Sequence, residues 1–249
     1  METLQVTYGI HAVDALFKRR RADVRELMIL EGSRVTAVNE LKQRAHQHVI
    51  KVTEVSAAKL KRVSGDGVHQ GVVAMGLPRP EFSERSLEQM LAADKEWFFL
   101  VLDGVDDPRN LGASLRVADG AGVDGVIIGR NRGARITPLV AKVASGAAET
   151  VPCIRVANLA RTLRFLREAG VFILGADGGA EVTIYDSTVD RSVALVIGSE
   201  GKGLRRLTRE QCDQLVSIPM HGSVSSLNLS VASAVMLYEL RRQRDQFTE

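Results

Sequence analysis

Two cysteines are all that 249 residues contain, Cys153 and Cys212. They are far apart and each is set in an apolar, strand-like run, so both are expected to be buried free thiols behaving as small hydrophobes. A disulfide scaffold is excluded, and a reducing cytoplasm is the natural setting. No apolar run approaches the ~18–20 residues of a membrane-spanning helix. In "METLQVTYGIHAVDALFKRR" the charges follow the apolar stretch, which predicts no secretory leader. Several familiar motifs are also missing. "GSEGKG" (198–203) places Gly203 after Lys202, where a phosphate-binding loop needs Ser or Thr. "GADGG" (175–179) lacks the G-x-G-x-x-G spacing of a dinucleotide site. No G-x-S-x-G elbow occurs. His46 and His48 have no Cys or acidic partner at ligand spacing, so no metal is expected. His11 and His69, each alone, read as structural.

What is present is an ordinary globular composition, 45% hydrophobic and 25% charged. The net charge is +3, unevenly spread. Residues 1–77 hold 12 Lys and Arg against 8 Asp and Glu, whereas the remainder holds 21 against 22. "KRRR" (18–21) and "KLKR" (59–62) suit a phosphate-rich partner or, equally, a solvated face. Residues 1–77 read as a small α/β module, with helices at 13–18 and 37–46 and strands at 24–30, 48–55 and 70–77. Pro78 and Pro80 then open a charged linker over 78–94. From 95 to 249 strands alternate with helices, closing on a helix over 227–242. This predicts a mostly parallel sheet covered on both faces.

Ligands of such sheets lie beyond the carboxyl ends of the strands, so four loops matter most. "PRNLGASLR" carries Asn110, a candidate helix cap, and Arg116. Arg116 is either a surface residue or a cation aimed at a phosphate or developing oxyanion. "IGSEGKGL" holds Glu200 among three glycines that permit close backbone approach. "IPMHGSVSSLN" sets the apolar edge Ile218–Met220 beside Ser226 and Asn228, a wall suited to a purine. "GADGGAE" is the fourth. The serines of "GSVSSLNLS" read as a helix cap, with Val231, Val235 and Leu237 as a core or dimer stripe behind them.

Three stretches in this order, "NLGASLR" (110–116), "ALVIGSEGKGL" (194–204) and "IPMHGSVSSLNLSVASAVMLYE" (218–239), resemble the motifs of the SpoU/TrmH branch of the SPOUT methyltransferases. "YGIHAVDALF" (8–17) and "HQGVVA" (69–74) resemble the substrate-binding domain of its RlmB type. The resemblance implies an L30e-like RNA-binding domain over 1–77 and an α/β catalytic domain tied in a deep trefoil knot. It implies S-adenosylmethionine as cofactor, held by Gly198, Gly201, Ile218, Met220 and Leu227. Asn110, Arg116, Glu200, Ser226 and Asn228 would be the catalytic residues, and the protein would be a homodimer. The activity implied is methylation of a guanosine ribose 2′-OH in 23S rRNA. A tRNA or other rRNA target, or a non-catalytic RNA-binding protein of the same fold, are the alternatives.

Overall fold

The computed structural model describes residues 3–130 and 134–248. The chain divides into two compact units. One runs to Pro80 and takes in Arg135–Thr150; the other comprises Glu81–Ala134 and the chain from Val151 onward.

The first unit is a four-stranded sheet in the order β1-β4-β2-β3. Its strands are β1 (Gln5–Tyr8), β2 (Val24–Leu30), β3 (Lys51–Val55) and β4 (Val72–Gly76), and its helices α1 (Ile10–Arg20), α2 (Thr36–Gln47) and α3 (Ala57–Val63). Only β2 and β3 run parallel. α1 and α2 bury Val13, Leu16, Phe17, Val38 and Leu41 against β2 and β4. The "YGIHAV" and "HQG" stretches meet in one turn. Gln70, at φ 54°, accepts a hydrogen bond from the Ile10 amide (3.2 Å) and one from Lys142. Gly9 lies beneath that lysine, and a Cβ there would come within 2.6 Å of Lys142 Cδ. His69 Nδ1 accepts from the Gly71 amide (3.1 Å), which gives that histidine a structural place.

The basic clusters separate on inspection. Arg20 points inward, to Asp23 (2.8 Å), Glu149 (3.4 Å) and the carbonyls of Leu77 and Pro78. Lys18 pairs with Asp14 at 2.7 Å. By contrast α3 leaves Lys59, Lys61 and Arg62 exposed while burying Leu60.

The second unit is a seven-stranded sheet in the order β11-β9-β10-β6-β7-β8-β5, with every pairing parallel. The strands are β5 (Phe82–Ser83), β6 (Phe98–Asp103), β7 (Gly125–Gly129), β8 (Cys153–Val156), β9 (Phe172–Ala176), β10 (Val193–Gly198) and β11 (Gln214–Val216). All of β6 is buried, as a strand covered on both faces requires. After β6 the chain moves outward through β7 and β8, then crosses to β9 and β10. The order therefore reverses between β6 and β10, where such sheets open a crevice.

The helices of this unit are α4 (Glu84–Leu91), α5 (Pro108–Gly120), α8 (Leu159–Glu168), α9 (Arg206–Arg209) and α10 (Leu229–Thr248). α6 (Pro138–Val143) and α7 (Ala147–Thr150) belong to the first unit. α10 packs on α5 and β10. Its buried residues are Leu229, Ser233, Met236, Leu237, Leu240 and Gln243, a helical-period stripe. Val231 and Tyr238 face outward and Val235 is half-buried, so Leu237 does not share their face.

Four expectations change. The stretch 78–94 is no open linker: β5 extends the large sheet, and α4 buries Leu87 against Trp97, Phe99 and Ile154. Ser83 and Ser86 cap α4 reciprocally. Residues 135–150, assigned to the catalytic half, pack on α1 and β1. Asn110 is not the cap of α5; Asp107 is, accepting from the Arg109 amide (2.8 Å) with Pro108 at the first helical position. Cys153 is a buried strand residue, but Cys212 is half-buried in the turn after α9. No helix among the described residues is long and apolar enough to cross a membrane.

Two measurements follow. Leu87→Ala is expected to cost about 2–5 kcal/mol in urea unfolding, as for a core leucine, where a linker residue would cost under about 0.5 kcal/mol. Burial, reinforced by Asp213 and Asp103, pushes the Cys212 thiol up to about 12. It stays protonated at pH 8, so iodoacetamide should label it at least about a hundredfold more slowly in the native than in the unfolded protein.

Candidate active site

The carboxyl ends of β9, β10 and β11 enclose a cavity of about 330 Å³, within the ~300–1,000 Å³ range of small-molecule and cofactor sites. Its floor is the β10–α9 loop. There Ser199 and Gly203 exchange backbone hydrogen bonds at 3.2 and 2.9 Å. Gly201 and Gly203 take φ of 79° and 63°, which other residues rarely adopt. Gly198 is needed for a different reason. A Cβ there would fall on the backbone of Gly203 and the amide of Leu204. The loop therefore folds flat onto the end of β10, and no helix starts on the glycines: α9 begins at Arg206. That geometry is unlike a phosphate cradle, whose helix opens directly from the loop.

The opposite wall is apolar, made by Ile218, Met220, Leu227, Leu229 and Met236, with Ser225 and Ser226 at the mouth. Flat apolar walls between backbone edges suit a purine, and the glycine floor lets a ligand approach the main chain. All five residues expected to hold a cofactor, Gly198, Gly201, Ile218, Met220 and Leu227, line this one cavity, as do Glu200 and Ser226. Among the described residues no group of His, Cys, Asp and Glu could hold a metal ion.

At the rim, the Asn228 side-chain amide donates to Asn110 Oδ1 (3.1 Å) and Glu200 Oε2 (3.3 Å). Its own Oδ1 accepts from the Ser230 amide (2.9 Å) and hydroxyl (2.7 Å). Asn228, not a serine, thus caps α10, and the same side chain ties together three loops distant in sequence. Arg116 lies on the exposed face of α5, nearly two turns beyond Asn110, and is not in the cavity wall. Asp177 and Gly178 also line the cavity. Asp177 is held by Arg209 (2.8 Å). Sequence reading singled out their loop but no residue in it, because "GADGG" matched no motif whose chemistry was known.

A model of the SpoU rRNA Methylase family matches residues 97–238. The chain belongs to the SpoU rRNA methylase family. Residues 6–80 match a second model, RNA 2′-O ribose methyltransferase substrate binding. This SpoU protein is 46% identical to the 23S rRNA (guanosine-2′-O-)-methyltransferase RlmB of Escherichia coli, over 96% of its length and 99% of the relative's. It is 48% identical to that of Pectobacterium atrosepticum, over 96% and 98%. Among solved structures, a putative RNA methyltransferase of the TrmH family from Porphyromonas gingivalis superimposes with a TM-score of 0.73 at 27% identity, over 96% and 90% of the two chains. The SpoU methyltransferase AviRb from Streptomyces viridochromogenes, solved with AdoMet, reaches 0.79 at 23% identity, over 97% and 91%, and shows the shared fold.

The glycines of the cavity are unequal, and this can be measured. Gly198→Ala is expected to cost about 1–3 kcal/mol in urea unfolding, because backbone has no room to yield. Gly178→Ala, with nothing within 4 Å of the new methyl, should stay within about 0.5 kcal/mol of the parent protein.

Proposed function

We propose that the protein transfers a methyl group from S-adenosylmethionine to the ribose 2′-oxygen of a guanosine in 23S rRNA. The observation that carries this reading is the Asn110–Asn228–Glu200 network at the mouth of the cavity. The relatives' activity and the match over 6–80 support the substrate class. That match also favours rRNA over tRNA: the A. aeolicus TrmH/SpoU tRNA modifying enzyme covers only 64% of this chain.

S-adenosylmethionine, when bound, supplies a methyl already activated by its sulfonium, so the protein's contribution is positioning. Ile218, Met220 and Leu227 would hold its adenine, and the flat glycine loop would let main-chain groups reach it. Asn228 keeps Glu200 and Asn110 in one orientation, and Ser226 faces the entering ribose. The 2′-hydroxyl is a poor nucleophile until its proton passes to solvent water at the cavity mouth; the O–CH3 bond would form as the S–CH3 bond breaks, the thioether leaving neutral. The Arg116 guanidinium stabilises the alkoxide as it forms and grips the neighbouring phosphate. The exposed Lys59, Lys61 and Arg62 of α3 meet the RNA backbone. The hydrogen bonds of Ser217 to Val182 and Ile184, and of Gln243 to Ser187 and Val189, tie the β9–β10 connection to β11 and α10. This is the loop through which the trefoil knot is threaded. Val231 and Tyr238, exposed seven residues apart on α10, form the face that meets a second copy in a homodimer.

Labelled methyl transfer to unmodified 23S rRNA, followed by mapping of 2′-O-methylated positions, tests the reading; a single modified guanosine is expected. Arg116→Ala should lower the rate at least about a hundredfold with unchanged stability, the scale of losing one charge-stabilising group. A near-normal rate would remove Arg116 from the mechanism.

A further inference from the structure

We infer that Asp103 is a positioning residue, a buried carboxylate that clamps the Glu200 loop and the loop leading to Asn110 onto one point of the sheet. The inference rests on the reading of the cavity as the methyl-donor site.

Asp103 ends β6 directly opposite Gly198 in the parallel register with β10. The other five residues of β6 are apolar, yet this last one is a carboxylate with no exposure at all. Such a group is retained only where its charge is paired and its oxygens are used. Both oxygens turn to one residue. Oδ2 accepts from the Arg205 amide at 2.9 Å, and Oδ1 lies 3.4 Å from Arg205 Nη1. Among the described residues Oδ1 has no hydrogen-bond donor, so the Arg205 guanidinium answers its charge.

Arg205 is where the Glu200 loop rejoins the chain before α9. Within the loop, only the Ser199–Gly203 pair holds the backbone to itself. The Asp103 contact supplies the outer anchor. On the other side, Gly104 takes φ 94°, and a Cβ there would come within 3.1 Å of Arg205 Nη2 and 3.4 Å of Ser199 Cβ. The chain leaving β6 therefore passes directly beside the clamp at Gly104 before α5 presents Asn110. Neither Asp103 nor Arg205 lines the cavity. Their effect reaches it through Glu200, Gly201 and Gly203, and through the Asn228 bridge that spans both loops.

Two readouts separate this from general structural support. Calorimetric titration with S-adenosylmethionine should show affinity about ten- to a hundredfold weaker in Asp103→Asn and in Arg205→Ala, the range for losing a charge-assisted contact. Arg205→Lys should recover part of it, and Arg206→Ala, exposed on α9, should bind as the parent does. Arg205→Ala alters a half-exposed side chain, so it keeps the test available if Asp103→Asn does not fold. Native-state hydrogen exchange reads the clamp without ligand: the Gly203 and Arg205 amides should exchange at least about tenfold faster in either variant, as in a locally loosened loop. Unchanged exchange and affinity in the folded variants would overturn the inference. Failure of the parent protein to bind S-adenosylmethionine would instead overturn the cofactor reading, with hydrogen exchange still deciding the clamp.

Discussion

The cavity exists because main chain packs on main chain at the end of β10. Gly198 offers no Cβ, so the Gly203–Leu204 backbone lies directly on it. Any side chain at 198 would lift the loop and move Glu200 away from Asn228. The flat loop in turn leaves space between it and the Ile218–Leu227 segment, and that space is the cavity. Helix α10 then fixes the far wall, because Asn228 both caps it and reaches across to Glu200 and Asn110. A contact of a few atoms at one strand end thus sets the geometry of three separate loops.

The large sheet was readable because its strands are continuous apolar runs separated by amphipathic helices, the pattern that a doubly covered parallel sheet imposes. β1 and α3 were missed. β1 is four residues long and half-buried in pattern, and α3 looked like a basic cluster because only Leu60 among its residues is fully buried, with Val63 half-buried beside it. The charged 78–94 stretch read as linker because prolines and acidic residues outweigh the single fully buried side chain, Leu87.

At the site, residue types and spacing singled out loops that line one cavity but not how those loops hold one another. The crowd of serines before α10 suggested a serine cap, and the cap is Asn228. The reason is geometric: the helix begins at Leu229, leaving Ser223, Ser225 and Ser226 in an exposed loop upstream. Asp103 carried no signal, since an acidic residue at a strand end is ordinary in sequence and becomes unusual only when seen to be fully enclosed.

Residues 135–150 have a consequence for how the protein is made. Their helices α6 and α7 lie between β7 and β8 in the chain, yet they complete the small unit: Gly146 packs on Ala15, and Glu149 meets Arg20 and Arg79. On the ribosome, the small unit has its core residues but lacks the α6 and α7 packing on α1 and β1 when residue 80 emerges. Arg20 and Arg79 wait for their shared carboxylate until about seventy further residues have followed, and by then β6 and β7 of the larger sheet have already been synthesised. The two units are therefore interleaved in time as well as in sequence, and neither can be released as a finished piece before the other has begun.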